Sequence, residues 1–280
     1  MTVTQLAAFG CGYVATAFAA RLATSGTVTL GTTRTVLSAS ILARTGIEPV
    51  IWSGEGPAPP PAIPGAAWLV SVPPDATGCP VFRALSRDAP HAAWLGYLST
   101  TGVYGDLGGR WAFEETPVRP LSREAANRVT AESQWLSLGA HIFRLPGIYG
   151  PGRSALERVR EPGARRIVKP GQVFSRAHRD DIVSALALSI ARPRPGAVYN
   201  VCDDEPAPAD AVLSYAAGLL GVADPPALSF EEAGLSPAGQ RFYAECKRVS
   251  NARAKSALGW RPAYPTYREG LMSCLAATPA

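Results

Sequence analysis

The sequence predicts an α/β fold: a doubly wound parallel sheet with a smaller C-terminal domain. Three observations carry that expectation. Short apolar runs alternate with helical patterns from the first residues to about residue 201, most connections between them are short, and the opening strand passes through two glycines straight into a helix.

The opening stretch organises the rest. Val3 to Phe9 is an apolar run of strand length, and Gly10-Cys11-Gly12-Tyr13-Val14-Ala15 follows at once. Strand, glycine turn and helix form the context in which G-x-G-x-x-G/A denotes dinucleotide binding. Gly10 lets the chain turn out of the strand, Gly12 lacks a Cβ where a pyrophosphate would approach, and Ala15 lets helix and strand pack closely. Phosphates would meet the free N–H groups and positive end of a helix from Tyr13 to Ala23, so Gly10, Gly12, Tyr13, Val14 and Ala15 are cofactor-binding candidates. The competing reading is a tight turn that binds nothing.

A second strand over Thr27 to Leu30 ends in Gly31-Thr32-Thr33-Arg34. An acidic residue here would hold a ribose 2′-hydroxyl; none is present, and Arg34 offers a guanidinium for a 2′-phosphate, which favours NADP over NAD. A helix over Val36 to Arg44 and a strand over Glu48 to Trp52 follow. The proline-dense segment Gly54 to Gly65 reads as a surface loop. Ala67 to Val72 is the fourth strand, and ligands in parallel sheets sit at strand carboxyl ends, so Ser71, Val72 and Pro73 should border the cofactor.

Phe82 to Ala89 reads as a helix and Ala93 to Ser99 as the fifth strand, running into Ser99-Thr100-Thr101-Gly102-Val103-Tyr104. A loop over Leu107 to Leu121, a helix over Ser122 to Leu138 and a sixth strand over His141 to Leu145 come next. Arginines then cluster, among them Arg144, Arg153 and Arg179; most read as a solvated face, with one or two reaching an anionic substrate. Asp180 and Asp181 start a helix that runs through Ala191. Ala197 to Val201 is a further strand, Ala209 to Leu220 a helix ended by Gly221, Ser250 or Asn251 the cap of a short helix that stops at Gly259, and Tyr267 to Ala276 the last helix.

The chain has 280 residues, is 47% hydrophobic and 18% charged, and carries a formal net charge of +5 spread along its length. This composition excludes a disordered chain, and the absence of a Lys/Arg block or a nucleic-acid motif argues against nucleic acid as partner. Cys11, Cys79, Cys202, Cys246 and Cys274 are odd in number without C-x-x-C spacing, which suits reduced thiols and no metal site. Without a positive n-region or a span of membrane length, the expected location is the cytoplasm.

These motifs resemble the extended short-chain dehydrogenase/reductase superfamily, in particular its NAD-dependent epimerase/dehydratase-like proteins. The marks are Gly10 to Ala15, Ser99 to Asp106, Arg144-Leu145-Pro146-Gly147-Ile148-Tyr149-Gly150-Pro151-Gly152-Arg153, His178-Arg179-Asp180-Asp181-Ile182, Tyr199-Asn200-Val201 and Leu258-Gly259-Trp260-Arg261-Pro262. The resemblance implies a Rossmann domain (1–150 plus about 179–201) and a smaller substrate domain (about 151–178 plus 202–280). It implies bound NADP or NAD, with Ile148 counted among the cofactor residues. Members often dimerise through the helices flanking the fifth strand, so a homodimer is one expectation.

One departure stands out. The family carries Tyr-x-x-x-Lys on the helix after the fifth strand, one turn apart so that both side chains face the nicotinamide. Aligned on Ala131-Glu132, this chain has Glu124 at the Tyr position and Arg128 at the Lys position. Thr100 matches the family's catalytic Ser/Thr. Thr100, Glu124 and Arg128 are therefore the catalytic candidates, with Glu124 an acid/base only if burial raises its pKa; otherwise it is an exposed carboxylate in a first helical turn. Arg128 cannot release a proton at neutral pH. Tyr104, whose family counterparts mostly support structure, joins Arg144, Arg153 and Arg179 as a substrate-binding candidate. Two functions follow: an oxidoreductase acting on a small anionic or sugar-like molecule, or a non-catalytic NAD(P) sensor or scaffold.

Overall fold

A computed structural model describes residues 3–52, 54 and 63–277 of the chain. Most of the proline-dense segment read as a surface loop lies outside the described residues.

Seven strands form the main sheet: β1 (Gln5–Phe9), β2 (Val28–Thr33), β3 (Glu48–Ile51), β4 (Ala67–Val70), β5 (Trp94–Thr100), β6 (His141–Leu145) and β7 (Val198–Asn200). All pair in parallel, in the order β3-β2-β1-β4-β5-β6-β7. The order reverses between β1 and β4, and the crevice at that switch point is where such sheets bind ligands. The helices are α1 (Tyr13–Thr24), α2 (Val36–Ala43), α3 (Pro80–Leu85), α4 (Arg123–Leu136), α5 (Ala155–Arg160), α6 (Arg179–Ala191), α7 (Ala209–Leu220), α8 (Pro237–Tyr243), α9 (Ala252–Leu258) and α10 (Tyr267–Ala276).

Strand periodicity sorts the core onto two faces. In β1, Leu6 and Ala8 pack with α1, α2, α6 and α9, whereas Ala7 and Phe9 pack with α3 and α4. β4 does the same, with Ala67 and Leu69 on the first face and Trp68 and Val70 on the second. Both faces are covered, which explains why these strands read as continuous apolar runs. A further core lies outside the sheet, where Leu156 of α5, Val212 and Ala216 of α7, and Leu271 of α10 surround Tyr149. Ala254, Leu258 and Trp260 pack in the sheet's own core, although the sequence division puts them with the smaller part.

Several local differences from the sequence reading have physical causes. α3 starts at Pro80, a residue suited to a first turn, and ends before a separate 3-10 turn at Ala89–His91. Asn251 occupies the cap position of α9 but donates instead to the Cys202 carbonyl (2.7 Å) and to Asp204 Oδ1 (2.7 Å); the Ser250 hydroxyl accepts from the Ala252 N–H (3.3 Å). Within the stretch expected as a loop, Trp111–Ala112 pairs with Arg248–Val249, drawing the C-terminal segment back across the end of β5. Two more short parallel pairs, Gly147–Tyr149 with Arg176–His178 and Arg166–Val168 with Ala227–Ser229, fasten the smaller part. Segments of two or three residues carry no readable periodicity.

Candidate active site

The glycine turn has two glycines with different reasons to be glycine. Gly10 adopts φ +86°, and a Cβ there would meet Val72 at 2.9 Å. Its N–H donates to Thr32 Oγ1 (2.7 Å) and its carbonyl accepts from the Ser71 hydroxyl (2.9 Å). Ser71 and Val72 therefore stand beside the turn, with Pro73 exposed just beyond. Gly12 has an ordinary extended backbone (φ −89°), and a Cβ there would meet nothing within 4 Å. The fold itself does not require this glycine. The open space above it suits a ligand that touches the main chain.

Gly12 is also the N-cap of α1, with no side-chain cap and no acidic residue in the first turn. The first amides of the helix are left for an anion, as a dinucleotide's phosphates require. Val14 and Ala15 are buried and bring the helix onto the sheet. The neighbouring Cys11 thiol is pushed up to about 12 by burial, so it stays neutral. Tyr13 donates its hydroxyl to the Pro151 carbonyl (2.9 Å), and its ring lies beneath the guanidinium groups of Arg179 (5.1 Å) and Arg153 (5.6 Å). These two arginines, expected at a substrate, instead flank the glycine turn. Arg179 is also paired with Asp180 (2.9 Å). A groove of about 860 Å³ runs from Gly12 along α1 to Arg21, walled by Ile41, Arg179 and Val183. Arg34 is exposed at the end of β2, beyond Thr33, with no acidic residue in that stretch. Ile148 packs at the margin of the sheet's core.

At the end of β5, neighbouring residues point opposite ways. Ser99 turns inward and donates to Glu132 Oε1 (2.6 Å). Glu132 receives Arg144 (2.7 Å), both side chains less than a tenth exposed. Arg144 also donates to the Tyr104 hydroxyl (3.0 Å) and the Glu114 carbonyl (3.1 Å), and Tyr104 donates to Asn200 Oδ1 (2.8 Å). This corrects two expectations. Tyr104 is fully buried with its hydroxyl bonded on both sides, and Arg144 spends its charge on Glu132, so neither faces a substrate. Burial also raises the Tyr104 pKa, which keeps the phenol neutral.

Thr100 turns the other way and lines a cleft of about 280 Å³. Its Oγ1 accepts from the Gly102 N–H (3.1 Å), which leaves the hydroxyl proton available to a ligand oxygen. The first turn of α4 packs on this bend, since a Cβ on Gly102 would lie 3.7 Å from Ala125 and 3.4 Å from Thr100 Oγ1. Arg128, one turn further along, donates to the Tyr97 hydroxyl (3.1 Å) and the Leu98 carbonyl (2.7 Å). Glu124 is exposed in the first turn of α4. The cleft's opposite wall comes from segments that the sequence reading left out. Ser175, Phe174, Phe242, Glu245 and Lys247 all line it. Lys247 is buried and donates to the Gly105 carbonyl (2.8 Å) and to Glu245. No local pattern marks this pair; the pairing of 248–249 with 111–112 brings it to β5.

The chain shares its fold with NAD-dependent epimerase/dehydratase-type proteins of known structure. A conserved protein of unknown function from Silicibacter pomeroyi DSS is 46% identical, with a TM-score of 0.90 over 98% of this chain and 99% of that one. A dTDP-glucose 4,6-dehydratase from Bacillus anthracis str. Ames, solved in complex with NAD, shares the fold at 18% identity and a TM-score of 0.78, covering 98% of this chain and 96% of that one. A 3-diazoavenalumate denitrifying reductase from a Streptomyces species is 30% identical over 175 residues, 58% of this chain and 53% of that protein. The chain thus spans about half the length of the curated relatives it matches. No family model matches it.

Among the described residues, no group of His, Cys, Asp and Glu could hold a metal ion, and no helix is long and apolar enough to cross a membrane. Cys11, Cys79, Cys202 and Cys246 are free thiols.

Proposed function

We propose that the protein is an NAD(P)-dependent oxidoreductase of epimerase/dehydratase type that works on a small molecule without the usual Tyr-x-x-x-Lys pair. The observation that carries this reading is Gly12. Its backbone suits any residue and its side-chain space is open, which leaves room for a pyrophosphate against the main chain. The uncapped helix, the Tyr13–Arg153–Arg179 group and the Ser71–Val72 edge suit the phosphates, and Arg34 suits a 2′-phosphate, which favours NADP over NAD. Residues 1–150 with about 179–201 make the dinucleotide-binding part in this reading, and about 151–178 with 202–280 the substrate part.

A bound nicotinamide would give or take a hydride. Thr100 would donate to the substrate oxygen, and Arg128, anchored on β5, would position the ribose. The ionisable groups that face the cleft are Glu245 and Lys247, so proton traffic runs through them or through water rather than through Glu124 or Tyr104. The free thiols of Cys11, Cys79, Cys202 and Cys246 suit a reducing compartment such as the cytoplasm. A second reading, a non-catalytic nucleotide sensor, is favoured by the exposed Glu124 and the buried Tyr104.

Thermal unfolding with NADP, NADPH, NAD and NADH tests both. A ligand at about 100 times its dissociation constant stabilises a protein by roughly 2.7 kcal/mol, a readily measured rise in melting temperature. At least one nucleotide should produce it; no shift with any of the four removes both readings. Hydride transfer to a carbonyl panel, followed at the nicotinamide absorbance, then separates enzyme from sensor.

A further inference from the structure

We infer that the cleft at the end of β5 takes a small planar ring bearing a hydroxyl group, a phenol-like molecule, rather than an anion or a nucleotide sugar. The inference rests on the proposed function for the nucleotide beside it, but the cleft makes its own case.

Size comes first. At about 280 Å³ the cleft lies just below the usual range for ligand sites, roughly 300–1,000 Å³. One substituted ring fits within it, whereas a nucleotide sugar would have to extend well beyond its mouth.

The wall is aromatic. Phe174 and Phe242 stack with centroids 4.4 Å apart and planes 12° from parallel, and Tyr243 stands edge-on to both, at 5.4 Å from Phe174 and 5.5 Å from Phe242. Phe242 is 54% exposed, a large apolar surface left in water at the cleft. A flat ring laid against it would gain both burial and offset stacking.

The polar end reads a hydroxyl. Lys247, which lines the cleft, has three N–H donors; one goes to the Gly105 carbonyl, one to Glu245, and one is left over. The Glu245 carboxylate keeps acceptor capacity beside it. A hydroxyl can accept from Lys247 and donate to Glu245 at the same time. A ligand carboxylate can only accept, and it would meet the negative charge of Glu245. None of Arg144, Arg153 and Arg179 lines the cleft, so the arginines that suggested an anionic substrate do not serve it.

The test uses the whole chain saturated with NADP and 4-hydroxybenzaldehyde as the probe, with 4-methylbenzaldehyde and UDP-glucose for comparison, titrated by ligand-observed NMR. The hydroxylated ring should bind about tenfold more tightly than the methylated one. Lys247→Met should remove that preference while keeping the methylated ring's affinity. Phe242→Leu, at an exposed position that leaves the fold undisturbed, should weaken both rings about threefold to tenfold. Equal binding of the two rings, no binding of either, unchanged affinity in Phe242→Leu, or UDP-glucose displacing the ring would overturn the inference. Should NADP fail to bind, NAD takes its place in the titration; should none of the four nucleotides bind, the proposed function falls, and the ring preference is then read in the nucleotide-free protein, where it stands or falls separately.

Discussion

Two polar regions meet at the end of β5, and they use charge in opposite ways. On the α4 side, Glu132 is closed into a buried network with Ser99, Arg144 and Tyr104, every charge paired inside the protein. On the C-terminal side, Glu245 and Lys247 form a pair at a cleft that retains unused donor and acceptor capacity. α4 contributes Glu132 to the buried network, and a segment more than a hundred residues later faces the cleft. Strand alternation makes the split possible, because Ser99 and Thr100 necessarily point to opposite faces.

The largest expected effect breaks the first region. Arg144→Met leaves Glu132 buried without its guanidinium partner, and should cost about 3–5 kcal/mol of unfolding free energy in urea. Because the network does not face the nucleotide, affinity for NADP in the folded variant should match the parent. A loss of binding with intact stability would instead return Arg144 to the ligand.

Asp203, buried beside Arg176, gives a pH-dependent contrast. Burial pushes its carboxyl up to about 8, well above the roughly 3.9 of an unfolded chain. Between these values the native state holds a proton that the unfolded state has lost. Its stabilising effect is therefore full below about pH 4 and is lost as pH rises toward 8, by at most about 1.4 kcal/mol per pH unit. Asp203→Asn should lose this dependence, so its melting temperature should gain on the parent's from pH 5 to pH 8. A parallel pair of pH profiles would show that Asp203 is ionised throughout.

A smaller effect sharpens the nucleotide side. Arg34→Ala should weaken NADP by roughly tenfold to a hundredfold, the worth of a charged hydrogen bond, and leave NAD nearly unchanged. Equal losses for both nucleotides would remove Arg34 from the 2′-phosphate. Within the cleft, Thr100→Val should lower affinity for a carbonyl ligand by about tenfold without altering NADP binding, measured by the same titrations.

Legibility in the sequence followed the length and periodicity of each element. α1, α7 and α10 could be placed to within a residue, because apolar spacing and, for α7, Gly221 mark them locally. The glycine turn was equally plain. The orientation of Tyr104 and Arg144 was not, since a polar residue near a strand end reads alike whether it faces a ligand or a buried partner. Arg153 and Arg179 were singled out, but their place over Tyr13 depends on a chain reversal at Pro151 that spacing does not encode. Phe242, Glu245 and Lys247 were invisible because a two-residue strand pairing delivers them to β5.

The most direct measurement compares Gly12→Val with the parent protein for stability and for NADP and NADPH affinity by calorimetric titration. The substituted side chain enters space empty of protein atoms on a backbone that accepts it, so stability should stay within about 1 kcal/mol of the parent. Nucleotide binding should disappear. A variant that folds equally well and still binds either nucleotide at parental affinity would contradict a pyrophosphate resting on the main chain at Gly12.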